Sequence, residues 1–252
     1  MSSNDKLKLF DDIFDLQHNL QMESSFKNSK EPAMHLIYHL FLKARRSLKT
    51  MKIILDSQEL ENSYIETLPL LRIQLETYFH LLYIVNHEDK TICIEEYDVL
   101  QKKQLNRVAR NLKTLKHDQP EMVNDQERQF IDDFGSYRSS TEIEHLEQLW
   151  QLAKAVGKYA EYAKIYSLLS SFVHYNPSTR VAYSDQEDDR TIYNRFTHNE
   201  AVKDTILKYS IGIALNTIGC IAGFLEIREI EEQQLEILKE WSSLFGRQIT
   251  FK

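Results

Sequence analysis

Apolar residues recur at helical spacing along almost the whole chain. Leu9, Ile13, Leu16 and Leu20, with Phe10 and Phe14, make one face of a helix over Asp5 to Met22. Pro32 stands where a first helical residue belongs, and Leu36, Leu40, Leu48, Met51 and Leu55 carry a second helix to about Ser57. A third runs from Tyr64 to His87 along Leu68, Leu71, Leu75, Phe79 and Leu82, with a kink or restart expected at Pro69. Thr91 to Lys116 reads as a long helix rich in base. Pro120 is expected to open a shorter acidic helix that Gly135 ends.

Thr141-x-x-Glu144 has the form of a capping box, starting a helix through Trp150 that stops at Gly157. Tyr159 to Pro177 reads as one helix halted by Asn176-Pro177. Ser178 to Phe196 is the one irregular stretch, acidic around Asp185, with a short hairpin expected near Val181 to Tyr183. Thr197-x-x-Glu200 is a second capping box, before the apolar run Tyr209 to Leu225, and a last helix covers about Glu231 to Phe245.

Only 6 Gly and 4 Pro in 252 residues agree with long, uninterrupted helices. We therefore expect one all-α domain, an antiparallel helical bundle of about eight to nine helices. The 42% hydrophobic and 27% charged residues are those of a globular protein. A net charge of −7 excludes a global basic field for nucleic acid, so any such contact needs a local patch. Cys93 and Cys220 have neither metal-ligand nor disulfide spacing, and the charged N-terminus lacks an apolar signal core, so a cytoplasmic location is expected.

Tyr209 to Leu225 is uncharged for 17 residues and carries Gly212, Gly219 and Gly223. It is short for a membrane span and contains Ser210, Asn216 and Thr217, so we read it as a buried helix and expect no membrane. The glycines permit close helix approach, to a neighbour or to a second copy, and a dimer is expected on that ground.

Two helices carry polar residues on apolar faces. Arg72 and Glu76 are four apart, as are Ser170 and His174, so each pair shares a face. Arginine offers a fixed positive fork to phosphate or carboxylate, and histidine moves protons near neutrality. Together the four would suit metal-independent RNA cleavage, His174 activating a 2′-hydroxyl and Arg72 stabilising the charged phosphorane. The alternative is a buried ion pair and a core histidine that pin two helices together. Lys103, Arg107, Arg110 and Lys113 form a basic stripe suited to a phosphate backbone, or a solvated face balanced by the acidic helix beyond it.

Glu142, Glu144, His145 and Glu147 read as solvated. Asp132-Asp133, Glu95-Glu96 and the Asp185 run lack the spacing of a metal site. No P-loop, dinucleotide fingerprint, Gly-x-Ser-x-Gly or kinase signature occurs, so no cofactor is expected.

The Arg-x3-Glu of Arg72 and Glu76, with the Tyr-x3-Ser-x3-His of Tyr166, Ser170 and His174, resembles a bacterial helical family of unknown function over roughly residues 60–180. That family is similar to the HEPN superfamily of helical bundles. The resemblance implies a HEPN-like core, an RNA-cutting toxin or antiphage effector, and a dimer with an Arg-x(4–6)-His motif at its seam. It also implies RNA, or a protein from a defence operon, as partner. The chain departs from that motif, because no arginine stands four to six residues before His174. Arg72 would have to take that role from another helix.

Overall fold

A computed structural model describes residues 3–57, 63–174, 176, 177, 179, 184–187, 190–192 and 200–246. Helix α1 is Ser3–Met22, α2 is Met34–Asp56, α3 is Leu68–Asn86 and α4 is Lys90–Asp118. After them come α5, Asp125–Phe134, and α6, Leu149–Ala155. We take 159–170 as one helix, α7, with a π-helical middle at Tyr162–Tyr166. Helices α8, Glu200–Phe224, and α9, Arg228–Phe245, follow, and these nine are the longer helices among the described residues. The chain is an all-α bundle, as its periodicity requires.

Helix α3 is the centre. It packs on α2 along one side and on α8 along another, and α8 in turn is covered by α9 and α1. The predicted rows are buried: Leu9, Ile13 and Leu20 in α1, Leu48 and Met51 in α2, Leu71, Leu75 and Phe79 in α3. By length and composition Lys203–Phe224 would suffice to cross a membrane, but most of it is buried among α1, α3 and α9. Gly219 and Gly223 serve close approach within the chain. A Cβ at Gly219 would stand 3.2 Å from Gln234 Nε2, and one at Gly223 3.1 Å from Glu231 Oε1, both on α9.

Several boundaries differ from the pattern, each for a local reason. Pro69 restarts the third helix: a separate turn, Ser63–Glu66, precedes α3, where the proline takes an early position with no amide to satisfy. Helix α2 begins after Pro32, at Met34. Pro120 opens only a 3₁₀ turn, Pro120–Met122, and α5 starts later in a capping box of Asn124 and Glu127. Thr141 caps nothing; the turn Glu144–Glu147 begins at Ile143 without a side-chain cap, because the buried Ile143 and Leu146 set its position. Gly157, at φ +70°, does stop α6.

Helix α7 ends at Ser170 and gives way to a turn through His174, rather than running to Pro177. The described strands, Asp185–Glu187 and Arg190–Ile192, pair antiparallel just beyond the expected hairpin. Residues 181–183 and Thr197 lie outside the described residues.

Candidate functional site

Arg72 lies one turn into α3, on the flank of its buried row. Its Nη2 donates to Tyr166 Oη at 2.5 Å, and the guanidinium carbon stands 4.8 Å from the Tyr166 ring centroid. The partners are 94 residues apart in sequence. Tyr166 itself is buried, at the end of the π-helical segment. A π segment widens the helix by one residue per turn and turns the following side chains, and such segments concentrate at functional sites. Here it aims Tyr166 at α3. Tyr162 stacks on Tyr166 with centroids 5.2 Å apart, and Tyr159 stacks on Tyr162 at 6.1 Å.

Glu76, one turn beyond Arg72, adds its negative charge to the same place, and Ser170 adds a hydrogen bond to the Tyr166 hydroxyl. Burial, then the Glu76 charge, hold the Tyr166 phenol above its ordinary range, against Arg72 and Ser170. Arg72 and Ser170 therefore meet at Tyr166, within the field of the Glu76 charge. Arg72 and Glu76 form no direct ion pair among the described residues. The Arg72 Nε is buried and has no hydrogen-bond partner there. A buried donor left open in this way is costly unless something else accepts from it.

His174 stands apart. Helix α7 ends at Ser170, and His174 is exposed at the end of the turn that follows. Its backbone amide still reaches Ser170 O at 3.3 Å. Beside it, Leu168 is 62% and Val173 41% exposed, an apolar rim next to the cluster.

The basic stripe lies on α4, which packs chiefly against α5. Arg107, Arg110 and Lys113 are exposed, whereas Lys103 is tied to Glu147 at 2.8 Å. Lys113 and Lys116 open onto a cleft between α4 and the end of α5 that also holds His117 and Asp132.

Sequence reasoning missed a second polar group where the end of α3 meets the start of α4. Tyr83 Oη donates to Glu96 Oε2 at 2.7 Å and lies 2.9 Å from His145 Nε2. His87 Nε2 and His145 Nε2 stand 3.6 and 3.7 Å from the two oxygens of Glu96. His145 is thus half-buried in a network, not on a solvated face. Just inside it, His80 Nδ1 pairs with Tyr97 Oη at 2.8 Å. The available signal was the run His80, Tyr83, His87 on one face of α3, matched by Glu96 and Tyr97 on α4. Among the described residues no three His, Cys, Asp or Glu are arranged to hold a metal ion. Tyr83 Oη occupies the gap between the imidazole of His145 and the carboxylate of Glu96.

A family model described as a family of unknown function (DUF5677) matches residues 34–191. No curated protein and no solved structure matches the chain. The matched region runs from the first turn of α2 through the Arg72–Tyr166 cluster and the Glu96 network, well over half of the sequence, and the chain belongs to this family of unknown function, DUF5677.

Proposed function

We propose that the chain is a HEPN-like helical effector that binds and cuts RNA at the seam between α3 and α7, acting in the cytoplasm as a toxin or a component of antiphage defence. One observation carries the reading. Residues of the two signatures, 94 positions apart, converge on Tyr166 while a buried Arg72 donor stays open. Arg72, half-buried as a residue, would hold a phosphate oxygen with its guanidinium. His174, exposed on the rim, would take the 2′-hydroxyl proton; the 2′-oxygen would bond to phosphorus as the bond to the 5′-oxygen breaks, leaving a 2′,3′-cyclic phosphate and a 5′-hydroxyl protonated from solvent. Glu76 and Ser170 position Arg72 and Tyr166. The apolar rim of Leu168 and Val173 suits a seam with a second copy, which would bring a second His174 near the site.

A second reading has its own observation. Tyr166 already holds the Arg72 guanidinium by hydrogen bond and ring, as it would in a purely structural clasp that fastens α7 to α3 in a binding or dimerisation module.

Three variants of the purified chain, with wild type, separate the readings on a labelled RNA. In the effector, His174→Ala loses cleavage with its melting temperature unchanged, and Arg72→Lys keeps most stability but loses activity, because an ammonium cannot reproduce the fork. In the clasp, wild type cleaves nothing, and Arg72→Ala costs about 2–4 kcal/mol of stability.

A further inference from the structure

The last turn of α3 and the end of α6 border a cavity of about 510 Å³, formed by Tyr83, Asn86, His87, Glu88 and residues 155–157. That volume suits a small molecule. No lysine or arginine lines it among the described residues. Behind the wall lies the Glu96 carboxylate, 13% exposed, whose ion-pair neighbours are the two imidazoles alone among the described residues.

The hydrogen bonds fix the charge of one of these. The Asp89 amide donates to His87 Nδ1 at 3.2 Å, so that nitrogen is the acceptor and Nε2 carries the proton facing Glu96. His87 is then neutral. Tyr83 gives its proton to Glu96, so His145 Nε2 must donate to the Tyr83 oxygen. Glu96 is held by the Tyr83 hydroxyl and the neutral His87, with His145 beyond them and Glu88 at the rim of the same cavity. The C-terminus of α6 adds the negative end of its peptide dipole, while that of α3 is already met. The chain itself already places one ammonium at this helix end: Lys90 Nζ donates to Val85 O at 2.9 Å and to His87 O at 2.6 Å.

We propose that the cavity binds a primary alkylammonium. Its N–H groups donate to the Glu88 carboxylate and to the carbonyls that end α6, Glu96 supplies the field through Tyr83 and His87, and the alkyl part lies on Ala155 and Val156. The site is separate from the Arg72 cluster and does not depend on the RNA reading.

Calorimetric titration with putrescine, and with 1,4-butanediol as its uncharged counterpart, tests it on the full chain. Putrescine is expected to bind and the diol not to. Glu96→Gln keeps an acceptor for Tyr83 and should weaken putrescine about tenfold or more. Glu88→Gln, exposed and outside the network, should weaken it with the melting temperature unchanged, and this carries the test if Glu96→Gln fails to fold. Arg72→Lys should leave binding as it is. Absence of putrescine binding at millimolar concentration, equal binding of the diol, or unchanged affinity in Glu88→Gln overturns the proposal.

Discussion

His80 faces inward from α3 and pairs with the Tyr97 hydroxyl through Nδ1 at 2.8 Å. Burial, with a smaller push from the Lys43 charge, lowers its pKa to about 4. As the pH falls, the unfolded chain takes up this proton near the ordinary value of about 6.5, well before the folded chain does. His80 therefore contributes stability that is fully present above about 6.5 and is lost as the pH falls toward 4, about 3 kcal/mol in all. His80→Gln removes the titration, so urea melts of the variant should lose less stability between neutral and acid pH than those of wild type. Equal losses would show that the histidine is solvated. Burial also pushes the thiols up, Cys93 to about 11, helped by the Glu96 charge, and Cys220 to about 12. Both should resist alkylation by iodoacetamide at neutral pH until the chain is unfolded.

Between elements, the contact of α8 with α9 depends on having no side chain at Gly219. Gly219→Leu must displace Gln234, whose amide donates to Leu215 O at 3.3 Å, so both packing and a buried hydrogen bond are disturbed. A loss of about 1–3 kcal/mol is expected, read by thermal melting. Because these glycines face the chain's own α9, the mass by light scattering should not change with this variant, whatever the oligomeric state. A fall in mass ahead of any loss of stability would place α8 in an interface between copies. The π-helical segment of α7 makes the complementary case. Tyr166→Phe keeps the ring against Arg72 and removes the hydroxyl that Arg72 and Ser170 share. It should cost about 1 kcal/mol by the same measurement.

At the scale of the whole molecule, the α4–α5 pair carries the exposed Arg107, Arg110 and Lys113 on a chain of net charge −7. Such a stripe can act only locally, within a Debye length of about 10 Å at moderate salt. Under the RNA reading, Arg107→Glu with Arg110→Glu should weaken RNA binding severalfold at low salt and flatten its salt dependence, with the melting temperature unchanged. Filter binding across a salt series reads this directly. Unaltered binding would assign these residues to solvation alone.

The helical class, most of the helices and the buried rows were legible in the sequence, because a period of 3.6 residues writes the inward face of each helix into the chain itself. The face shared by Arg72 and Glu76 was legible for the same reason. What lay beyond that signal depended on partners far apart in the chain. Tyr166 belongs to a signature whose spacing names no partner until α7 is set against α3, and His174 falls in the turn past the end of α7. His145 reads as surface until Tyr83 and Glu96 arrive from two other helices. The glycines of α8 fix only that a neighbour comes close; that the neighbour is α9 was decided by tertiary packing. Local spacing sets which side of a helix is apolar, while contacts across nearly a hundred residues are chosen only by how those sides fit together.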